Sequence, residues 1–486
     1  MSNDAHGGAD GALNDTPAHT TEPSQQKSAT PGRLPVSSIW RYAIGSLGTG
    51  GFATLPGLVL TYYMTDSLGI AAIVAGLVIA GAKVWDVVID PIIGAMTDRD
   101  LIHNGTRRRL MLIGALSLPV FFALTFAVPP SLGPVVGAIW VVIAFTATAT
   151  AFSLFQVPYI ALPAELTPDY NERTRLLTWR VVVLTFAILL FGAGGPALRR
   201  ITDDSVTGYL VMGVIAGLVI GVGMLLATTV TRRAARSSIQ PSSSATVRIA
   251  PTAPPPRTSI RAHYAAGIAA LRRSPAFRAL LATFVLQALA TGLMLAGAQY
   301  VATWVLHSEA AVELLFVALI APALFAAPVW GAIARRIGKE RAFAISSVIF
   351  AIAALTIILA LWIPGEWVYA PVAVSGIAYA GMQSLPMAML PDVISADERT
   401  HGAGQAGAFS GVWTAGETVG FALGATTLSV ILTTTGYVSS TASELVIQPD
   451  AAVTGIVVSF SLVPAILIAV SLVALAKYPL RRADID

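Results

Sequence analysis

Residues 81–91 read Gly-Ala-Lys-Val-Trp-Asp-Val-Val-Ile-Asp-Pro, inside an apolar run from about Gly69 to Ile93. Three ionisable side chains, Lys83, Asp86 and Asp90, therefore stand where their neighbours call for hydrocarbon. An ionised group at mid-bilayer depth costs at least a few kcal/mol, so such residues usually face a protein interior and have a task there. On a helix, Asp86 and Asp90 share one face one turn apart, with Lys83 a turn before and Gly94 a turn after. Pro91 frees a backbone carbonyl near position 87. Oxygen ligands suit a proton or a hard cation such as Na+, whereas transition metals favour His or Cys. The chain has no Cys and six scattered His. Three uses fit the residues: a structural charge cluster built on Lys83, a proton relay, and a site for a coupling cation.

Other polar residues interrupt apolar segments. Gln156 follows Ser153 by one turn and precedes Pro158, which suits either a pocket or a helix–helix hydrogen bond. Arg180, in LTWRVVV, either lines a cavity or snorkels to the membrane edge; in a cavity it would grip a carboxylate bidentately. Glu417, in GVWTAGETVG, is a second titrating site or a partner for Arg180 or Lys83. Gln299, Gln383 and Trp413 are further candidates for lining, with core packing the stronger expectation for Trp413.

The elements that hold these residues follow from composition. The 486 residues are 55% hydrophobic and 12% charged, with a mean hydropathy of +0.73. A soluble domain carries roughly 25% charged residues, so the chain reads as an all-α membrane protein. Apolar runs of spanning length fall near 38–64, 70–97, 110–129, 134–162, 177–198 and 209–231. They recur near 277–305, 311–334, 341–363, 367–391, 403–434 and 452–476. The expected organisation is a disordered cytoplasmic tail (1–36), a six-helix half (37–231), a polar linker (232–276), a second six-helix half (277–478) and a short tail (479–486). Of the 30 Lys and Arg, 26 fall on the side of the N-terminus; only Arg199 and Arg200 fall opposite. Cytoplasmic loops retain such residues, so both termini are expected inside a cell (inner) membrane.

Two signatures recur six spans apart. Gly94-x-x-x-Asp98-Arg99 with Arg107–Arg109 matches Gly331-x-x-x-Arg335-Arg336 with Lys339 and Arg341. LPAELTPDYNERT (162–174) matches LPDVISADERT (390–400). Spacings of 237 and about 227 residues indicate one six-helix unit used twice, with Gly94 and Gly331 allowing close helix approach. Asp98, Arg99, Arg335 and Arg336 then belong to paired gating loops.

Twelve spans in two parallel halves with these turns resemble the major facilitator superfamily over about residues 36–482. Lys83-x-Trp85-Asp86-x-x-x-Asp90-Pro91-x-x-Gly94, together with VPYIALPAELTPDYNERTRL (157–176), looks like the glycoside–pentoside–hexuronide:cation symporter family, which includes the melibiose carrier. The resemblance implies that Asp86 and Asp90 bind the coupling cation (the metal, if it is Na+), with Ser153 adding a hydroxyl. It implies a substrate pocket between the halves, with Gln156 and Arg180 among its contacts. The acidic sugar-binding positions of the melibiose carrier fall near Gly50 and at Gln156, and its eleventh-helix lysine falls at Thr418 beside Glu417. The cation half of the resemblance thus carries over better than the sugar half.

The expectation is a cation-coupled (Na+ or H+) secondary transporter, working by alternating access as a monomer. Its solute would be a small polar molecule, most simply a sugar, glycoside or uronide. The alternative is a carrier or exporter of the same fold for a lipid-like or drug-like substrate. Beyond the coupling ion no cofactor is expected, nor a nucleic-acid partner. No metal cluster, nucleophile elbow or phosphate loop points to an enzyme.

Overall fold

The computed structural model describes residues 33–167, 170–202, 204–231, 269, 271–401, 406–441 and 446–480. The expected tail as far as residue 32, most of the linker (232–268) and residues 481–486 lie outside the described residues. Twelve long helices account for nearly all the rest. They are α1 (Val36–Ser67), α2 (Ala72–Asn104), α3 (Arg108–Thr125), α4 (Gly133–Leu166), α5 (Tyr170–Arg199) and α6 (Ser205–Thr228), then α7 (Pro275–Val305), α8 (Ala311–Ile337), α9 (Lys339–Leu361), α10 (Tyr369–His401), α11 (Ala406–Thr434) and α12 (Asp450–Ala476). Eleven are long and apolar enough to cross a membrane. The remaining one, α10, has 33 residues, about 50 Å of helix at 1.5 Å per residue; Gln383 and Ser384 dilute its apolar character.

The two halves repeat one packing scheme. In the first, α1 packs on α5, α2 on α4, and α3 on α4 and α6. Adding six to each label gives the contacts of the second, α7 on α11, α8 on α10, and α9 on α10 and α12. Both leading helices end in a five-residue π-helical turn, Tyr63–Ser67 in α1 and Val301–Val305 in α7. Across the halves, α2 meets α11, α5 meets α8 and α1 meets α7. The acid pair on α2 therefore sits on a helix that bridges the two halves.

Small residues set how close helices come. A Cβ at Gly114 of α3 would lie 2.5 Å from the Ala151 carbonyl oxygen of α4, and one at Gly376 of α10 would lie 2.0 Å from that of Leu319 in α8. The glycine-rich α1 is equally tight, with Gly50 facing Ala187 at 2.7 Å. Gly94 and Gly331 behave differently from expectation. A Cβ at Gly94 would meet only Val157 at 3.9 Å, and one at Gly331 only Arg335 at 3.8 Å. Neither distance is closer than ordinary van der Waals contact, so neither glycine holds two backbones together here.

Candidate functional site

α2 runs as helix through Pro91 and carries Lys83, Asp86 and Asp90 along one flank. Lys83 Nζ donates to Asp86 Oδ2 at 3.0 Å. The Ser153 hydroxyl of α4, only 4% exposed, stands beside the Asp90 carboxylate. Trp85 Nε1 donates to Thr150 Oγ1 at 2.8 Å and fixes the register of α2 on α4. Asp86 Oδ1 and Asp90 Oδ1 are both buried without a hydrogen-bonding partner. Unpartnered buried carboxylate oxygens are costly and call for an explanation such as an ion. Two carboxylates and a hydroxyl make an oxygen donor set that fits a hard monovalent cation or a proton. The ammonium of Lys83 already holds one Asp86 oxygen, so an arriving cation would compete with it.

The other polar candidates separate into two groups. On the first half, Thr49 Oγ1 of α1 donates to Gln156 Oε1 of α4 at 2.8 Å. Arg180 of α5 lies over the Tyr159 ring, 5.5 Å from its centroid. Tyr159 in turn donates to the Tyr42 carbonyl at 2.8 Å and meets Ser46 Oγ at 3.1 Å. Arg180 is thus anchored in the bundle about ten residues inside the helix end, with Nε buried and unpartnered, rather than snorkelling at the edge. On the second half, Gln383 Nε2 donates to the Tyr379 hydroxyl at 2.6 Å within α10. Glu417 of α11 is half-buried near Tyr379, and its two expected partners are engaged elsewhere, Lys83 with Asp86 and Arg180 with Tyr159. Trp413 is 2% exposed and stacks on Phe284 of α7 at 4.2 Å, which takes it out of the candidate pocket in this conformation. Gln299 is fully buried and donates to Thr303 Oγ1 at 3.1 Å.

The loop signatures become matched ion pairs. Arg107 joins Asp98 at 2.7 Å to Glu165 at the end of α4 at 2.5 Å. In the second half Lys339 pairs with Asp392 in α10 at 2.5 Å. Glu165 and Asp392 are the acids of the two Leu-Pro signatures, so the duplication is visible as chemistry. Arg99 and Arg336 are exposed, and Arg335 lines a cavity of about 520 Å³ with Gly331, Lys339 and Asp392. These basic-face pairs each lie within one half.

The contacts that fasten the halves to each other gather at the opposite face. Tyr437, on the α11–α12 connection, donates to Asp66 Oδ1 of α1 at 2.5 Å. Burial first, and then the Asp66 charge, hold the Tyr437 hydroxyl well above its ordinary pKa, so it remains a donor. Thr65 Oγ1 meets the Tyr300 hydroxyl at 2.7 Å, and Ser440 N donates to the Thr65 carbonyl at 2.9 Å. Arg199 of α5, 5% exposed, donates to Tyr209 at 2.6 Å and pairs with Glu309 of the second half at 3.1 Å. Arg200 pairs with Glu313 of α8. Sequence reasoning missed this latch. Its signal was present: Arg199 and Arg200 are the only basic residues on that side, and Asp66 ends an apolar helix beside two tyrosines.

Two like six-helix halves, joined on one face and bridged by a helix with an acid pair, define a carrier of the major facilitator type. The chain belongs to the MFS/sugar transport protein family, which matches it over residues 41–482. It is 34% identical to an uncharacterized symporter of Synechocystis sp. over 183 residues, 37% of this chain and 32% of the relative. It is 27% identical to a putative glycoside/cation symporter of Escherichia coli, over 42% of this chain and 44% of the relative. The matched stretches thus span less than half the length of these relatives. In fold it is similar to a bacterial homolog of the human lysosomal transporter Spinster in an inward-facing, unoccupied conformation, with a TM-score of 0.62 at 13% identity, over 91% of this chain and 95% of that one.

Proposed function

We propose that the chain is a cation-coupled secondary transporter of a small polar solute, with Asp86, Asp90 and Ser153 as the coupling site. The observation that carries this reading is the pair of buried, unpartnered carboxylate oxygens on α2, which bridges to α11 of the other half. With the site empty, Lys83 neutralises one acid. Loading by Na+ or H+ displaces Lys83 and removes the remaining repulsion, favouring whichever state holds solute tightly. The basic face is then cytoplasmic in an inner membrane, with both termini inside. The fastened opposite face marks an inward-facing state, and the latch at Asp66 and Arg199 must open for solute to enter from outside.

The solute chamber lies between the halves, near the midplane. Thr49, Gln156 and Arg180 would contact solute from one side, and Gln383 with Glu417 from the other. The glycoside/cation relative supports a sugar, glycoside or uronide. The crowding of Gly50 against Ala187 leaves no room for an acidic sugar-binding side chain there, which keeps a lipid-like or drug-like solute as a second reading. Uptake of labelled glucuronide and methyl glycosides into proteoliposomes, under an imposed Na+ or pH gradient, tests both. Gradient-stimulated sugar uptake supports the first reading; no response to either gradient, or export of an amphiphile instead, sinks it.

A further inference from the structure

A groove of about 600 Å³ runs along the outer surface of the second half, between the start of α7 and the end of α12. Arg278 and Lys477 stand at its mouth on the basic face, and both are exposed. Ala282 keeps the wall low, while Leu286, Val470 and Val473 line the deeper part; Val473 is 62% exposed. From Pro275 to Leu286 the helix rises about 16 Å, close to half of the roughly 30 Å hydrocarbon core. The groove therefore has the depth of one leaflet, apolar below and cationic at the headgroup level.

The cations are available. One guanidinium nitrogen of Arg278 donates to the carbonyls of Leu271 at 3.1 Å and Arg272 at 2.7 Å, which fixes the group over the mouth. Among the described residues no carboxylate pairs with Arg278 or Lys477, whereas Arg107, Arg273 and Lys339 on the same face are each neutralised by one. Two basic residues over an apolar slot between helices match the charge and shape of an acidic lipid at a membrane surface.

The geometry points to a specific binding site for one anionic glycerophospholipid, its phosphate between Arg278 and Lys477 and an acyl chain along Leu286, Val470 and Val473. The site is separate from the coupling residues on α2 and does not depend on which solute is carried.

Native mass spectrometry of the full chain, with dioleoyl phosphatidylglycerol and dioleoyl phosphatidylcholine supplied equally, tests it. One phosphatidylglycerol should be retained in preference. Lys477→Gln should cut that preference about fivefold, and Arg278→Gln with Lys477→Gln about thirtyfold, corresponding to about 1 kcal/mol per cation. Ala282→Trp, which fills the slot, should release both lipids, and glycerol phosphate without chains should not be retained. Arg336→Gln, an exposed arginine outside the groove, should leave retention unchanged. Equal retention of the two lipids by the unaltered chain would overturn the proposal. So would a preference that survives loss of both cations, or one that Arg336→Gln weakens as much as Lys477→Gln does. Among the described residues Lys477 makes no side-chain hydrogen bond or ion pair, so its variant decides the matter even where Arg278→Gln misfolds.

Discussion

Tyr437→Phe removes one oxygen from the latch and leaves the ring. In the closed state that oxygen donates to Asp66 Oδ1 at 2.5 Å and accepts from Trp304 Nε1 at 2.9 Å. A hydrogen bond to a charged group contributes about 1.5–3 kcal/mol net when its partner is otherwise left dry. Opening the face lets water reach Asp66 and Trp304 in either variant, so the loss falls on the closed state alone. The closed-to-open ratio should therefore drop by roughly tenfold to 150-fold. The chain has no cysteine, so spin labels can be placed without first removing any. Ile201, 66% exposed at the end of α5, and Ile447, 94% exposed on the α11–α12 connection, lie on opposite halves of this face and outside the latch. Double electron–electron resonance between labels at 201 and 447 should show a long-distance population growing in Tyr437→Phe. An unchanged distance distribution would refute the reasoning, because it would mean that the Asp66 bond does not hold the face shut.

Three further outcomes follow from the same geometry. Asp86→Asn should abolish the melting shift produced by Na+, Li+ or acid while leaving the fold intact, and Lys83→Gln should raise apparent cation affinity by removing the resident competitor. A Lys83→Gln variant that is merely unstable, with no gain in affinity, supports the structural-cluster use instead. Gly376→Ala should lower thermal stability sharply, since its Cβ would lie 2.0 Å from the Leu319 oxygen, whereas Gly94→Ala and Gly331→Ala should melt like the parent chain; equal losses at all three would contradict the helix spacing described. Arg107→Ala, which strands the part-buried Glu165 while Asp98 stays in water, should cost about 2 kcal/mol in denaturation, against under about 1 kcal/mol for the exposed Arg99→Ala; similar costs would mean that the Arg107–Glu165 pair contributes little.

Membrane class, span count and duplication were legible in the residues alone, because apolar length and loop charge are local properties of a chain. So was the shared flank of Lys83, Asp86 and Asp90 on α2, since three- and four-residue spacings on a helix leave no choice. The Asp86–Lys83 pair was legible for that reason, whereas Ser153 was suggested by the family resemblance alone. Long-range packing settled what spacing could not. Tyr437 and Asp66 are 371 positions apart, and no periodicity links them; they meet only because the two halves close at one end. Trp413 reads the same in sequence whether it lines a chamber or fills a core, and packing on Phe284 put it in the core. Gly94 looked like a point of close approach from its signature, but crossing points depend on how whole helices pack, and tight backbone approaches fall at Gly114 and Gly376 instead. The groove beside Arg278 and Lys477 is likewise a product of packing, because its two cations come from helices 199 residues apart that only the fold brings side by side.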